Sequence, residues 1–218
     1  MTNTQIIEET IAFVKETLQG AEGGHDWFHI QRVFKNTLLI AKDEKVDVLV
    51  VSLGALLHDI ADAKFNGGDE TVGPQMAFEF LTSLEVDKKI VDQVVNIIEN
   101  ISYKSSLDSK KPFTSKELQV VQDADRLDAI GAIGIARAFN YGGFKNRELY
   151  NPEIAPNLQM TKEEYKKSKA PTLNHFYEKL LLLKDKMNTE TGKKLAENRH
   201  QYMLEYLEQF YKEWAGKA

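Results

Sequence analysis

The chain contains no cysteine among its 218 residues, and it carries no excess of basic side chains. The absence of cysteine excludes disulfides, thiolate zinc sites and cysteine nucleophiles. A formal net charge of -5 at pH 7 and a sequence pI of about 5.6 argue against binding to a nucleic-acid backbone as the main task. An anionic substrate stays compatible with this charge, because local lysines or a metal can reverse the sign inside a pocket.

Long apolar runs are also missing. The longest, around residues 48–57, is too short to span a bilayer. The first residues, MTNTQIIEET, have neither the basic nor the apolar region of a signal peptide. We therefore expect a cytoplasmic protein without a membrane partner. The sequence also lacks the motifs of phosphate-binding loops, dinucleotide-binding folds, helical zinc proteases and serine hydrolases.

Apolar residues recur at helical spacing through most of the chain, and no stretch alternates convincingly with a period of two. This pattern predicts an all-α, single-domain bundle of roughly seven to nine helices. The core is expected at about 20–140, followed by a long loop at 140–171 and C-terminal helices at 172–215. The predicted helices include 75–84, 87–101, 115–139, 173–187 and 193–214. An aromatic stripe near the C-terminus is interpreted as core packing: Tyr202, Tyr206, Phe210 and Trp214.

Residues 25–62 hold three of the five histidines and predict two helices. Asp26 is expected to cap the first helix. Asp47 is expected to start the second, which is apolar nearly all round and therefore belongs at the centre of the bundle. The apolar face of the first helix is predicted to consist of Phe28, Val33, Leu38 and Ile40.

An antiparallel hairpin of these two helices would bring His29 and the adjacent His58 and Asp59 to one end. Nitrogen and oxygen ligands that converge from two helices suit a divalent metal. Taken singly, each residue has a simpler interpretation. His29 could be an ordinary hydrogen-bonded helical histidine, and His58 a histidine at a helix C-terminus, where positive charge suits the helix dipole. His25 lies one turn before His29, on the same face.

A further acidic position stands out in the segment VVQDADRLDAIGAIG. Asp125 lies among apolar and small residues, where an acidic side chain is costly unless it is paired or binds a metal. We expect it to point inward. Asp123 and Asp128 are expected to point elsewhere, as caps or in salt bridges with Arg126 or Arg137.

His29, the His58-Asp59 pair and Asp125 resemble the H…HD…D signature of the HD-domain phosphohydrolase superfamily. The flanking segments GHDWFHIQRV, ALLHDI and QDADRLDAIGAIGIARAF are similar to those of one small bacterial group within it, the YpgQ/YedJ-like proteins. The resemblance covers most of the chain, including LLLKDKMNTETGKKLAENR. It implies a helical fold of the HD-domain type, in which these four residues hold one divalent metal and water cleaves a phosphate ester or anhydride.

Two imidazoles and two carboxylates form a metal site of borderline softness. We expect one Mn²⁺ there, with Ni²⁺, Co²⁺, Fe²⁺ or Mg²⁺ as alternatives. Some HD proteins carry further histidines for a second metal, whereas this sequence offers only His175 and His200 beyond the cluster. A single-metal site is therefore expected.

The resemblance also implies roles for residues beside the ligands. Asp62 lies one turn after His58, where several HD phosphohydrolases carry an acidic residue that handles protons. We assign it general acid/base work, and a loop cap is its simpler interpretation. His25 is expected to assist or to bind phosphate, or else to cap or to stack on Trp27. Four basic residues are candidates for holding the remaining substrate charge: Lys64, Arg32, Lys104 and Lys184.

These features predict a metal-dependent phosphohydrolase acting on a small phosphorylated molecule, in particular a (deoxy)nucleoside triphosphate pyrophosphohydrolase that releases pyrophosphate. One alternative is a 5′-nucleotidase acting on monophosphates. Another is a non-catalytic regulatory module that binds a nucleotide through the metal. The lysines at 162–169 favour a polyphosphate substrate if they form a clamp, and otherwise form a solvated loop face. We expect no nucleic-acid partner, and a monomer or a homodimer.

Overall fold

The computed structural model describes residues 1–20, 26–61, 69–101, 113–161, 164 and 168–217. Within these ranges the chain forms nine α-helices and one 3-10 helix, and no strand. The predicted all-α fold is confirmed. The α-helices are α1 Asn3–Thr17, α2 Trp27–Ala41, α3 Val48–Leu57, α4 Val72–Ser83, α5 Lys88–Asn100, α6 Lys116–Asp128, α7 Gly131–Phe144, α8 Asn174–Glu178 and α9 Glu190–Trp214, and the 3-10 helix is Leu180–Lys186.

The chain divides into two compact units, Met1–Asp125 and Arg126–Ala218. The first unit contains α1 to α5 and most of α6. The second contains α7, α8, the 3-10 helix and α9. The single domain expected from the sequence stays a prediction. Among the described helices, none is long and apolar enough to cross a membrane.

Helix α3 forms the centre of the first unit, as its sequence predicted. Every residue from Leu49 to Leu57 is buried, and the helix contacts α1, α2 and α5. Gly54 permits this close packing. A Cβ placed there would lie 3.2 Å from Ile97 Cγ2 and 3.5 Å from Val121 Cγ2, so any larger side chain would press on α5 and α6.

Two aspartates set the starts of the helices that matter most for the site. The Asp26 carboxylate accepts a hydrogen bond of 2.9 Å from the His29 backbone N–H. The Asp47 carboxylate accepts from the backbone N–H groups of Leu49 and Val50, at 2.9 and 3.2 Å. Both predicted caps are confirmed, since each satisfies donors that the first helical turn leaves without an internal partner. As a result, His29 lies in the first turn of α2.

The single helix predicted at 115–139 is wrong. The chain leaves helical geometry at Ile130, which is extended with φ -128° and ψ 168°. Gly131 follows with φ +74°, a conformation that side chains with a Cβ rarely adopt. A Cβ at this position would also lie 3.0 Å from the Arg199 side chain. Helix α7 then continues to Phe144, so the predicted start of the loop at 140 is five residues too early.

The helix predicted at 173–187 is also wrong. The segment is divided between the short α8 and the 3-10 helix. The backbone of Lys179 separates them, with φ -146° and ψ -56°. Leucines at helical spacing fit an α-helix and a tighter helix almost equally well, so the apolar pattern alone could not separate the two forms.

The aromatic stripe of α9 is only partly core. Tyr202 and Trp214 are 51% and 54% exposed. Tyr206 does pack, with its ring centroid 6.1 Å from both Phe139 and Phe176. The buried face of α9 is instead made of small and aliphatic residues, Gly192, Ala196, Met203 and Leu207. The expected core role of Tyr202 and Trp214 is therefore wrong.

We expect Gly54→Val to lower the free energy of unfolding by about 1–3 kcal/mol, because its methyl groups have no room against Ile97 and Val121. Urea denaturation followed by circular dichroism measures this. Gly143→Val is the matched control, since a Cβ at this helical glycine meets no atom within 4 Å. Equal stability changes in the two variants would contradict the packing argument.

Candidate metal centre

Three side chains from three helical segments of the first unit converge at one end of the α2–α3 pair. The His29 Nε2 atom lies 3.6 Å from Asp125 Oδ1, and the His58 Nε2 atom lies 3.9 Å from the same oxygen. The two imidazole centroids are 5.4 Å apart at an interplanar angle of 67°. One ligand atom from each residue lies within 4.8 Å of the other two. This spacing fits a metal ion bound between them.

The ring of His58 is oriented by its own helix. Its Nδ1 atom lies 2.9 Å from the carbonyl oxygen of Ala55. A carbonyl oxygen can only accept, so Nδ1 must carry the hydrogen. In the neutral ring, Nε2 then keeps its lone pair and points toward Asp125. Ligating histidines commonly have this arrangement, in which a hydrogen bond at one nitrogen sets the tautomer that binds metal through the other. The residues present therefore fit a divalent cation.

Burial of the three side chains is unequal. Those of His29 and His58 are 3% and 5% exposed, whereas that of Asp125 is 42% exposed. The imidazoles form the buried side of the site and the Asp125 carboxylate borders solvent. A ligand would therefore approach from the Asp125 side. Asp125, which was expected to point inward, faces the histidines but is not enclosed.

The neighbouring aspartates are the buried ones. Asp123 is fully buried and Asp128 is 1% exposed. The Arg137 guanidinium lies 2.5 Å from the Asp128 carboxylate and also donates to the Asp128 carbonyl, at 3.2 Å. This confirms the predicted Asp128–Arg137 salt bridge. A carboxylate buried to this degree requires such a partner, because an unpaired charge away from water is costly.

Two amides that sequence reasoning missed hold α6 beside the site. Asn36 donates to the carbonyl of Ala124, at 3.3 Å, and so joins α2 to the residue before Asp125. Gln122 donates to the carbonyls of Asn100 and Ile101 at the end of α5, at 3.2 and 3.3 Å. Helical spacing could have identified both, since Asn36 lies two turns after His29 and Gln122 one turn before Asp125.

The remaining predicted site residues form two groups, one within the residues that the structure describes and one outside them. Asp59 follows His58 directly and is half-buried, but it does not belong to the group of described residues with mutual spacing within 4.8 Å. Its role as fourth ligand stays a prediction. The other group lies outside the described residues: His25, Asp62, Lys64 and Lys104.

Arg32 and Lys184 lie in different units, and their roles in substrate binding stay predictions. Arg32 is half-buried on α2, one turn after His29. Lys184 lies on the 3-10 helix of the second unit, where its ammonium group is 3.1 Å from the Glu197 carboxylate.

The two histidines considered for a second metal are His175 and His200, and both belong to the second unit. Neither is a member of the metal-ligand group, which consists of His29, His58 and Asp125. Burial lowers the pKa of His175 to about 4, and the positive charges of Lys179 and Arg147 add to this effect. Burial also lowers the pKa of His200, with a smaller contribution from Lys184.

Comparison with known proteins agrees with this geometry. The HD domain matches residues 27–130, a range that contains His29, His58 and Asp125. The protein YpgQ of Bacillus subtilis is 38% identical over 211 residues, which cover 96% of this chain and 94% of the relative. The chain belongs to the HD-domain family.

Solved structures extend the match to nearly the whole chain. An HD-superfamily hydrolase from Bacillus thuringiensis is 42% identical, with a TM-score of 0.79 and coverage of 98% of this chain and 99% of that one. The crystal structure of B. subtilis YpgQ in complex with ADP is 36% identical, with a TM-score of 0.76 and coverage of 98% and 97%. The expected enzyme class, a metal-dependent phosphohydrolase of the HD superfamily, is confirmed.

We expect the wild-type protein to bind one Mn²⁺ per chain, and His58→Ala to weaken this binding at least about a hundredfold. Changes in residues that only support metal ligands already cost 10- to 100-fold in affinity, and loss of a ligand should cost more. Isothermal titration calorimetry of metal-stripped protein measures both. The control is His200→Ala, which lies outside the group and should bind as the wild type does. Unchanged affinity in His58→Ala would contradict the assignment.

We expect the protein to lose stability between about pH 6.5 and pH 4 through His175. Its folded pKa of about 4 lies below the ordinary value of 6.5, so the unfolded chain takes up the proton first as the pH falls. The loss should reach up to about 3 kcal/mol. Urea denaturation across this range tests it. His175→Gln should remove this part of the pH dependence, and should differ from the wild type by a constant amount above pH 7. Parallel curves down to pH 4 would contradict the prediction.

Proposed function

We propose that this HD-domain protein hydrolyses (deoxy)nucleoside triphosphates to monophosphates and pyrophosphate. The observation that carries the proposal is the buried histidine pair facing the half-exposed Asp125 carboxylate. Such a site would hold a metal beside the buried histidines and leave the Asp125 side open to a substrate. The ADP complex of YpgQ supports a nucleotide as that substrate, because ADP joins a base and a ribose to two phosphates.

The residues proposed to hold a single divalent cation, with Mn²⁺ as the expected one, are His29, His58, Asp59 and Asp125. When bound, the cation would lower the pKa of a water molecule and offset the negative charge of the phosphoryl group. The chain's own side chains prepare the site for it. The Ala55 carbonyl orients His58, and the Asp26 cap sets the first turn of α2, on which His29 lies.

Proton transfer and binding of the substrate's negative charge are assigned to neighbouring residues. We propose that Asp62 acts as general acid/base, with assistance from His25, as the sequence resemblance implies. Arg32 is proposed to contact a substrate phosphate. It lies between His29 and Asn36 on α2, and Asn36 reaches the residue beside Asp125. A guanidinium group there would stabilise the anionic substrate of a protein whose net charge is negative.

In the proposed reaction, water adds to the α-phosphorus and the bond to the oxygen bridging the α- and β-phosphorus atoms breaks. That oxygen leaves with the pyrophosphate, and the proton released by the water passes to solvent or to the acid/base residue. A 5′-nucleotidase would instead break the ester bond of a monophosphate and release phosphate. The two reactions therefore differ in a directly measurable product.

We expect the Mn²⁺-loaded protein to release pyrophosphate from deoxynucleoside triphosphates, and Asp125→Asn to reduce turnover at least about a hundredfold through loss of the anionic ligand. Products from mono-, di- and triphosphates are resolved by ion-exchange chromatography. The matched control is Asp43→Asn, an exposed aspartate after the other end of α2.

Phosphate released from monophosphates alone would assign the protein to the nucleotidases. Nucleotide binding without any turnover, in a protein that retains its metal, would assign it to the regulatory modules. Either result would overturn the proposed reaction.

A further inference from the structure

Phe28 is an exposed aromatic side chain next to a member of the metal-ligand group. The apolar pattern of the sequence assigned it to the buried face of α2, and this is wrong, because Phe28 is 62% exposed. It lies in the first turn of the helix, directly before the buried His29. This aromatic ring is exposed to water at the end of the helix pair that carries the site. It is therefore available to contact a bound ligand.

Helical geometry gives the direction in which Phe28 lies. With about 100° per residue, Arg32 is about 60° and Phe28 about 100° from His29, both on the same side. The core-facing residues lie on the other side: Ile30, Val33, Thr37 and Ile40. Burial follows this order, since His29 is buried, Arg32 half-buried and Phe28 exposed.

One residue on that side of α2 reaches α6. Asn36 lies about 20° from His29 in the same direction, and it donates to the carbonyl of Ala124, next to Asp125. The order around the helix is therefore His29, Asn36, Arg32 and Phe28. It runs from the buried His29 outward to the exposed Phe28.

We propose that the ring of Phe28 stacks on the nucleobase of the substrate, with Arg32 between it and the metal-ligand group. This inference rests on the proposed function, because it requires a nucleotide. The ribose separates the α-phosphate of a nucleotide from its base, so a base-binding residue belongs beside the phosphate site. Stacking tolerates every base, since each has a π-face, and the inference therefore implies weak base preference.

Other exposed apolar residues of the first unit fit this role less well. Among its described residues, Leu39 and Val48 lie at the opposite end of the α2–α3 pair, Met1 precedes α1, and Phe78 lies on α4. Phe28 alone among these five shares a helical turn with a member of the group.

The test compares wild type, Phe28→Ala and Phe28→Trp with dATP as substrate and ADP as a binding probe, both with Mn²⁺. We expect Phe28→Ala to raise KM for dATP and Kd for ADP by about tenfold while kcat changes less than about twofold, and Phe28→Trp to restore both. Inorganic tripolyphosphate, which has no base, should inhibit all three proteins equally. Phe78→Ala is the control and should behave as the wild type does.

Failure of the inference and failure of the proposed function give different results. Normal pyrophosphate release with unchanged KM and Kd in Phe28→Ala would overturn the stacking role and leave the function standing. Absence of turnover, with ADP binding that still depends on Phe28, would overturn the proposed reaction and support the stacking role. Equal losses for ADP and tripolyphosphate in Phe28→Ala would overturn the stacking role, because the effect would not involve the base.

Discussion

The antiparallel pairing of α2 and α3 is the constraint on which the site depends. It places the first turn of α2 beside the residue that follows the end of α3. His29 and His58 therefore lie at the same end of the pair. Helix α3 also packs closely against α5 and α6, where Gly54 lets them approach. Both imidazoles are buried: His58 Nδ1 donates to the Ala55 carbonyl, and the Nε2 atoms of both rings lie within 4 Å of the Asp125 carboxylate.

Four carboxylates of the chain have different tasks that follow from their surroundings. Asp26 and Asp47 cap helices, Asp128 is paired with Arg137, and Asp125 faces two histidines at the edge of solvent. A carboxylate that caps or pairs has its charge offset within the protein. The Asp125 carboxylate faces the Nε2 atoms of two imidazoles, and a cation bound between them would complete this arrangement.

Predictions from sequence succeeded where the deciding interaction is local. A cap depends on one side chain and the next turn, so Asp26 and Asp47 could be identified directly. The central position of α3 followed from its apolar composition. Predictions failed where the chain turns away from its pattern: at Ile130 and Gly131, at Lys179, and at Phe28, which shares the apolar spacing of α2 but not its burial. Periodicity describes which residues share a face, but not where that face stops being covered.

The sequence by itself determined the fold class, the starts of α2 and α3 and the residue types of the candidate metal centre, because each is encoded in neighbouring positions and in a recognisable signature. Only the tertiary structure decided that His29, His58 and Asp125 meet within 4.8 Å, and that Asp123 and Asp128 are buried while Asp125 is open. These properties depend on residues distant in the chain, and exposure is set by which of them cover a side chain in the folded protein.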